Sequence, residues 1–295
     1  MKNIIRALRL PFISASILPF IFGSLIQRQD FNLPGFFLGL FAVVFTHLSA
    51  NLINDYADSR SGVDWQDKRF FGFFGGSKLI QEKKLSEGFY LSAALLCCGV
   101  AIISIALLAW ILESSLVIII YALVVILSWQ YSSRPLQFSY RMLGELFIFI
   151  LFGPVTVMGG YFIQTGLFPD LRSFVLSLPF GFFTSAILFA NEVPDFPEDS
   201  KSGKFTWVNL FGQKHAFVIY YLLMLMGFFS ISVGISLRYL GVISVLACLL
   251  VFPATRAARI LSRHYSNKTK LVQSSRITIA IQALAGLILI IDILL

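Results

Sequence analysis

The sequence predicts an all-α integral membrane protein of about nine transmembrane helices, with its N-terminus in the cytoplasm. Three observations carry this prediction: composition, the length of the apolar blocks, and the placement of the basic residues. Of 295 residues, 57% are hydrophobic and only 13% charged. Soluble domains sit nearer roughly 45–50% apolar and about 25% charged. The apolar residues form blocks near 10–27, 34–53, 89–112, 115–131, 143–163, 173–192, 216–236, 239–255 and 277–295. Runs of roughly 18 or more such residues are long enough to cross a bilayer. Backbone groups in lipid must satisfy one another, so the spans are helices. If nine helices alternate in direction, the far side keeps only Arg28, Arg172 and Arg238, which leaves twenty of the 23 basic residues on the side of the N-terminus. Basic loops stay in the cytoplasm. One miscounted helix would scramble that split.

The first block holds Pro11 and Pro19 and reads as a permanent helix rather than a cleaved signal. The second ends in a polar stripe. The third and fourth are free of charge, and the third carries Cys97 and Cys98. With Cys248 these make no disulfide or metal spacing, and small buried residues are the expected role. The fifth opens at Glu145, which is costly in lipid and should face the interior. The sixth runs into a second polar set, and the last three complete the bundle. Residues 1–295 read as one membrane domain, with no soluble domain and no long linker. The net charge of +8 follows topology, so no nucleic-acid partner is expected, and no protein partner is called for.

Ten of the fifteen acids lie in two stretches on the cytoplasmic side: Asp55, Asp58, Asp64, Asp67, Glu82 and Glu87, then Glu192, Asp195, Glu198 and Asp199. Acids contribute little to topology, so another demand must place them. His47, Asn51, Asn54, Asp55 and Asp58 fall on one helical stripe. Asn191, Asp195 and Asp199 repeat every four residues. Pro194 and Pro197 argue that the last turn of the sixth helix unwinds or kinks. Two apposed carboxylate sets repel unless a cation neutralises them. Oxygen-only ligands, Asn amides beside Asp, suit Mg2+, which shares its shell with water and phosphate oxygens. Lys78, Arg134, Lys201 and Lys204 could reach a diphosphate. Tyr131 and Tyr140 could approach it or belt the interface. His47 is expected to be a satisfied buried histidine.

At Asn54-Asp55 with Asp58, and at Asn191 with Asp195 and Asp199, the sequence resembles the UbiA superfamily of intramembrane prenyltransferases. Gly62 stands where many members carry a third Asp, with Asp64 two residues later. That pattern is similar to the 1,4-dihydroxy-2-naphthoate polyprenyltransferase branch, as are Gly75-Gly76-Ser77, Leu143-Gly144-Glu145 and Gly203-Lys204. The likeness covers roughly residues 10–215, and the last three helices only by topology.

The resemblance implies a bundle around a central cavity, with an active site facing the cytoplasm at the cell membrane. Its partners would be a polyprenyl diphosphate, a small aromatic acceptor and the bilayer. Asn54, Asp55, Asp58, Asn191, Asp195 and Asp199 would hold Mg2+, with Asp58 and Asp195 central to ionising the donor. Asn51, Lys78, Arg134, Tyr131, Lys201 and Lys204 would bind substrate. Asp64 would order its loop or act as a base. A naphthoate acceptor would lose carbon dioxide and give demethylmenaquinone. The alternatives are another aromatic acceptor and, more distantly, a divalent cation transporter.

Overall fold

The computed structural model describes residues 2–295 and is helical almost throughout. Seven helices are long and apolar enough to cross a membrane: α2 (Leu33–Ser61), α3 (Glu87–Ile111), α5 (Gly144–Thr165), α6 (Leu171–Lys201), α7 (Ala216–Ser236), α8 (Val242–His264) and α9 (Lys268–Leu294). Two shorter apolar helices, α1 (Leu10–Leu25) and α4 (Ser115–Gln130), join them. A short helix, Lys2–Ala7, leads in. The chain is a multi-pass membrane protein. Its outer surface is apolar to match: Trp110 is 78% exposed and Phe252 72%, which water would not tolerate over so large an area.

Helix ends follow local chemistry. Asn32 opens α2 by accepting a bond from Gly35 N at 2.9 Å, Ser86 does the same for α3, and Asp170 for α6 at 2.7 Å. Gly62, at φ 88°, stops α2 in a left-handed turn that suits glycine. The helices pack α1–α2–α3–α4 on one side and α5–α6–α7–α8–α9 on the other, with α9 and α5 both against α1. Helix α4 leans on α2 and α3 and makes no comparable contact with α5. Only Val117 among its residues is buried, so the ring is loosest between α4 and α5.

Helix α6 forms the core, with Phe180 against Phe22 of α1 (ring centroids 5.0 Å) and Phe183 against Phe228 of α7 (5.1 Å). Helices α5 and α6 cross closely because Gly153 faces Gly181: a Cβ on Gly153 would lie 2.8 Å from Gly181 Cα. Small residues permit such approaches in membranes. Nearby, residues Leu151–Val155 widen into a π-turn that contains Pro154.

Two expectations about helix ends are corrected. Helix α6 does not unwind at Pro194 and Pro197 but continues to Lys201. Pro197 has no N–H for the carbonyl of Val193, and Gln213 Nε2 donates to that oxygen instead at 2.8 Å. The same nitrogen donates to Tyr265 O at 2.8 Å, tying α6 to the turn before α9. Gln213→Ala should therefore lower stability by about 1–3 kcal/mol, the cost of orphaned buried carbonyls. An unchanged melting temperature would remove Gln213 from this role. The second correction concerns α8 and α9, which run well past their apolar blocks. Arg256, Arg259, Arg263, Lys270 and Arg276 consequently ride on helices, not in a loop. Asn267 caps the turn between them by accepting from Lys270 N at 3.2 Å.

Candidate active site

The last turns of α2 and α6 border one cavity of about 470 Å3 at the charged end of the bundle. Asn51, Asn54 and Asp58 line it from α2, and Asn191, Glu192, Asp195, Glu198 and Asp199 from α6. The 3.6-residue repeat puts each set on one face. The loop after α2 links them. Gly75 N donates to Asp195 Oδ2 at 2.8 Å, and Ser77 N to Asp55 Oδ2 at 3.2 Å. Gly76 lies between, at φ 73°, where a Cβ would sit 2.8 Å from Asp64 Oδ2 and 3.3 Å from Asp55 Oδ1. Any side chain there would push into the carboxylates.

Cations and hydroxyls hold the acids in place. Lys78 Nζ reaches Asp64 Oδ1 at 2.8 Å and the Asp64 carbonyl at 3.0 Å, with both side chains buried. Burial pushes the Asp64 carboxyl up to about 7, although Lys78 pulls the other way. Tyr140 donates to Asp58 Oδ1 at 2.7 Å. Burial and the Asp58 carboxylate hold that phenol well above its usual range. Lys204 Nζ lies 3.6 Å from Asp199 Oδ2. Burial alone would lower its ammonium, but Asp199 and Asp58 outweigh that and keep it charged. Lys268 of α9 bridges Asp67 (3.0 Å) and Glu198 (2.8 Å) across the mouth. The side-chain bond from Arg69 keeps Asp67 below the usual carboxylate range.

Ten of the expected residues thus line one cavity: Asn51, Asn54, Asp58, Asp64, Lys78, Tyr131, Asn191, Asp195, Asp199 and Lys204. Three stand apart from it. Arg134 and Lys201 are exposed and absent from its walls. Lys201 is the last residue of α6, and Arg134 lies in the turn that follows α4. Asp55 is buried at 2% exposure but lies behind the wall, one helical step round from Asn54, where it faces Ser77 and has Arg9 Nη1 at 3.5 Å. His47 is satisfied as expected, with Nδ1 2.6 Å from Ser16 Oγ. Glu145 faces the interior at 1% exposure and accepts from Trp207 N at 3.3 Å.

Arg9 and Lys268 were not anticipated. Arg9 Nη1 donates to Asn54 Oδ1 at 3.2 Å, and both residues line the cavity. Lys268 did carry a signal, since a cation in the first turn of a helix opposes its dipole. Arg9 carried none.

The donor set fits a hard cation. Asn191 Oδ1 is a buried oxygen without a hydrogen-bond partner, and Asp199 Oδ2 has only Lys204 Nζ at 3.6 Å; buried oxygens so placed call for an explanation. Seven carboxylates and five cationic side chains line the walls, so negative charge is left over. No three acidic, His or Cys side chains among the described residues converge into a ready-made cage. An ion held by a few carboxylates, water and a phosphate-bearing ligand suits that arrangement better than a fully protein-bound one. Beyond the acids the same cavity turns apolar, along Phe20, Ile105, Leu108, Leu151, Met158 and Phe162. A charged head and a long apolar tail would both be accommodated.

The chain is similar to several known proteins. The chain is 30% identical over 232 residues to the UbiA prenyltransferase domain-containing protein 1 homolog of Drosophila melanogaster, covering 76% of this chain and 62% of that protein. It is 29% identical over 208 residues to the 1,4-dihydroxy-2-naphthoate octaprenyltransferase of Bacillus subtilis, covering 69% and 64%. The chain therefore spans less than two thirds of the length of these two relatives. Its fold matches a UbiA homolog from Aeropyrum pernix, with a TM-score of 0.74 at 18% identity over 97% of this chain and 98% of that one. A homolog from Archaeoglobus fulgidus bound to GPP and Mg2+ matches with a TM-score of 0.66 at 16% identity, over 98% and 99%. The UbiA prenyltransferase family profile covers residues 16–278, and the chain belongs to that family.

Proposed function

We propose that this protein transfers a prenyl group from a polyprenyl diphosphate to an aromatic acceptor, 1,4-dihydroxy-2-naphthoate, with loss of carbon dioxide to give demethylmenaquinol, the reduced form of demethylmenaquinone. The observation that carries the reading is the meeting of two carboxylate sets across the Gly75–Ser77 loop, at the head of an otherwise apolar cavity. The acceptor rests on the Bacillus relative and on the sequence pattern around Asp64. The head group and metal rest on the cavity chemistry and on the Archaeoglobus homolog. The charged end is assigned to the cytoplasmic side of the cell membrane by the basic-residue bias.

Asp58, Asp195 and Asp199, with Asn54 and Asn191, would hold Mg2+, and Asp55 would support them from behind. When bound, the ion neutralises the departing diphosphate. Arg9, Lys78 and Lys204 donate to its oxygens from fixed positions, stabilising charge as the C1–O bond breaks. The prenyl carbon then joins the electron-rich ring. Where the ring carbon bears a carboxylate, the electron pair of the breaking C–C bond restores aromaticity as carbon dioxide leaves. The apolar walls keep water from the allylic cation. Asp64, held by Lys78, orders the loop beside the ring.

The test is incubation of the purified, detergent-solubilised protein with polyprenyl diphosphates and a panel of aromatic acids, with products read by mass spectrometry. A prenylated, decarboxylated naphthol that disappears in EDTA is expected. Transfer only to another acid, such as 4-hydroxybenzoate, would replace the acceptor. No transfer to any acid would end the reading, and transfer undiminished by EDTA would end the metal assignment.

The cation assignments have their own check. Arg9→Ala and Lys204→Ala should each raise KM for the diphosphate about tenfold or more, the loss of one charge-assisted bond. Arg134→Ala and Lys201→Ala should leave it unchanged. The opposite ranking would return Arg134 and Lys201 to the site.

A further inference from the structure

The apolar part of the cavity is long, and its length is informative about the donor. Along α2 the lining runs from Asp58 back to Gly39, about 19 residues at ~1.5 Å each, or roughly 28 Å. Facing it, α5 contributes Leu151, Val155, Met158, Gly159 and Phe162.

Two adjacent glycines on α5 have different reasons to lack a side chain. A Cβ on Gly160 would lie 2.6 Å from Phe20 O and 2.9 Å from Ser24 N, so Gly160 lets α5 pack on α1. A Cβ on Gly159 meets nothing within 4 Å, yet Gly159 lines the cavity. Packing does not require glycine there. What the missing side chain leaves open is the lumen.

The depth of Gly159 follows from its neighbours. Ile163, one turn further out on α5, touches Gly39, whose Cβ would sit 2.6 Å from Ile163 Cδ1. Gly159 is thus about one turn inward of Gly39, roughly 22 Å from Asp58. An isoprene unit adds four chain bonds, about 5 Å when extended. Chains of two or three units end short of Gly159, whereas a chain of about five or more that stays within the cavity passes it.

We propose that Gly159 keeps the channel open for long polyprenyl donors, of about five or more isoprene units, and that a side chain at this position caps the length transferred. The inference rests on the donor reading above and adds the class of donor. The looser seam between α4 and α5 offers the competing route, by which a tail would leave sideways into lipid before reaching Gly159.

The experiment compares kcat/KM for geranyl, farnesyl and octaprenyl diphosphates in the full chain, in Gly159→Leu, in Gly159→Trp and in Gly99→Trp. Gly99 is a second helical glycine with nothing within 4 Å but no place in the cavity wall, and it controls for bulk alone. The unaltered protein should use the octaprenyl donor. Gly159→Trp should lose it by about tenfold or more, the scale on which an apolar pocket rejects misfitting chains, and keep farnesyl transfer within about twofold. Gly159→Leu should fall between, and Gly99→Trp should behave like the unaltered protein. Equal use of all three donors by both Gly159 variants would overturn the proposal in favour of the sideways exit. So would parallel loss of all three donors in both Gly159 variants, or rejection of octaprenyl diphosphate by the unaltered protein while farnesyl is used. Absence of transfer from every donor in the unaltered protein would instead sink the prenyltransferase reading.

Discussion

Asp58→Asn and Asp195→Asn should each reduce prenyl transfer by about 10^3-fold, the loss seen when one fixed electrostatic group is removed from a developing charge, while leaving the protein folded. Both residues line the head of the cavity. Each also accepts a structural bond, Asp58 from Tyr140 at 2.7 Å and Asp195 from Gly75 N at 2.8 Å. An Asn side chain has nearly the same shape and retains one acceptor oxygen, so both bonds can persist. Only the negative charge is lost. Product formation measured beside helicity and melting temperature separates chemistry from folding. Near-normal turnover in both variants would remove the carboxylate site as the seat of the reaction.

Lys78→Met should be the most destabilising single change in the loop. The Lys78 and Asp64 side chains are 4% and 6% exposed and 2.8 Å apart. Removing one partner of a buried pair leaves the other charge uncompensated, at a cost of about 3–5 kcal/mol and roughly 10 °C of melting temperature. Adding Asp64→Asn to the same chain should recover most of the loss, because the stranded charge goes too. A single variant that melts with the unaltered protein would show that the pair contributes nothing.

The same pair sets a pH dependence. The Asp64 carboxyl is pushed up to about 7 from an ordinary 3.8. Between those values the folded chain binds a proton that the unfolded chain has released, so stability should fall as pH rises through that window. Melting in EDTA should be higher at pH 5 than at pH 8, while Asp67, held below the usual range, titrates outside the interval. Higher stability at pH 8 would show that Lys78 dominates burial.

Much of the architecture could be read before any coordinates. Bilayer thickness translates into block length, which is why the spans fall where the apolar runs lie. The stripe from His47 to Asp58 was legible because its period is that of a helix continuing past the apolar block, and α2 does continue to Ser61. The ends of α8 and α9 were not legible. A helix leaving the membrane becomes polar without ceasing to be helical, and its stop is set by a cap such as Asn267 rather than by hydropathy.

By itself the sequence determined the class of the protein, where its apolar helices lie, and two Asn-led carboxylate sets at one end of the bundle. These are local properties, because periodicity and apolar length act within one segment. Only the tertiary structure decided what those sets meet. It carried α6 on through two prolines without unwinding, with Gln213 from another segment taking up the carbonyl that Pro197 leaves. It turned Arg134 and Lys201 to the surface and set Asp55 behind the wall. It also brought Arg9 and Lys268 from opposite ends of the chain to the same opening. Contacts between residues so far apart in sequence depend on how helices pack and cross, and no pattern within one segment records that.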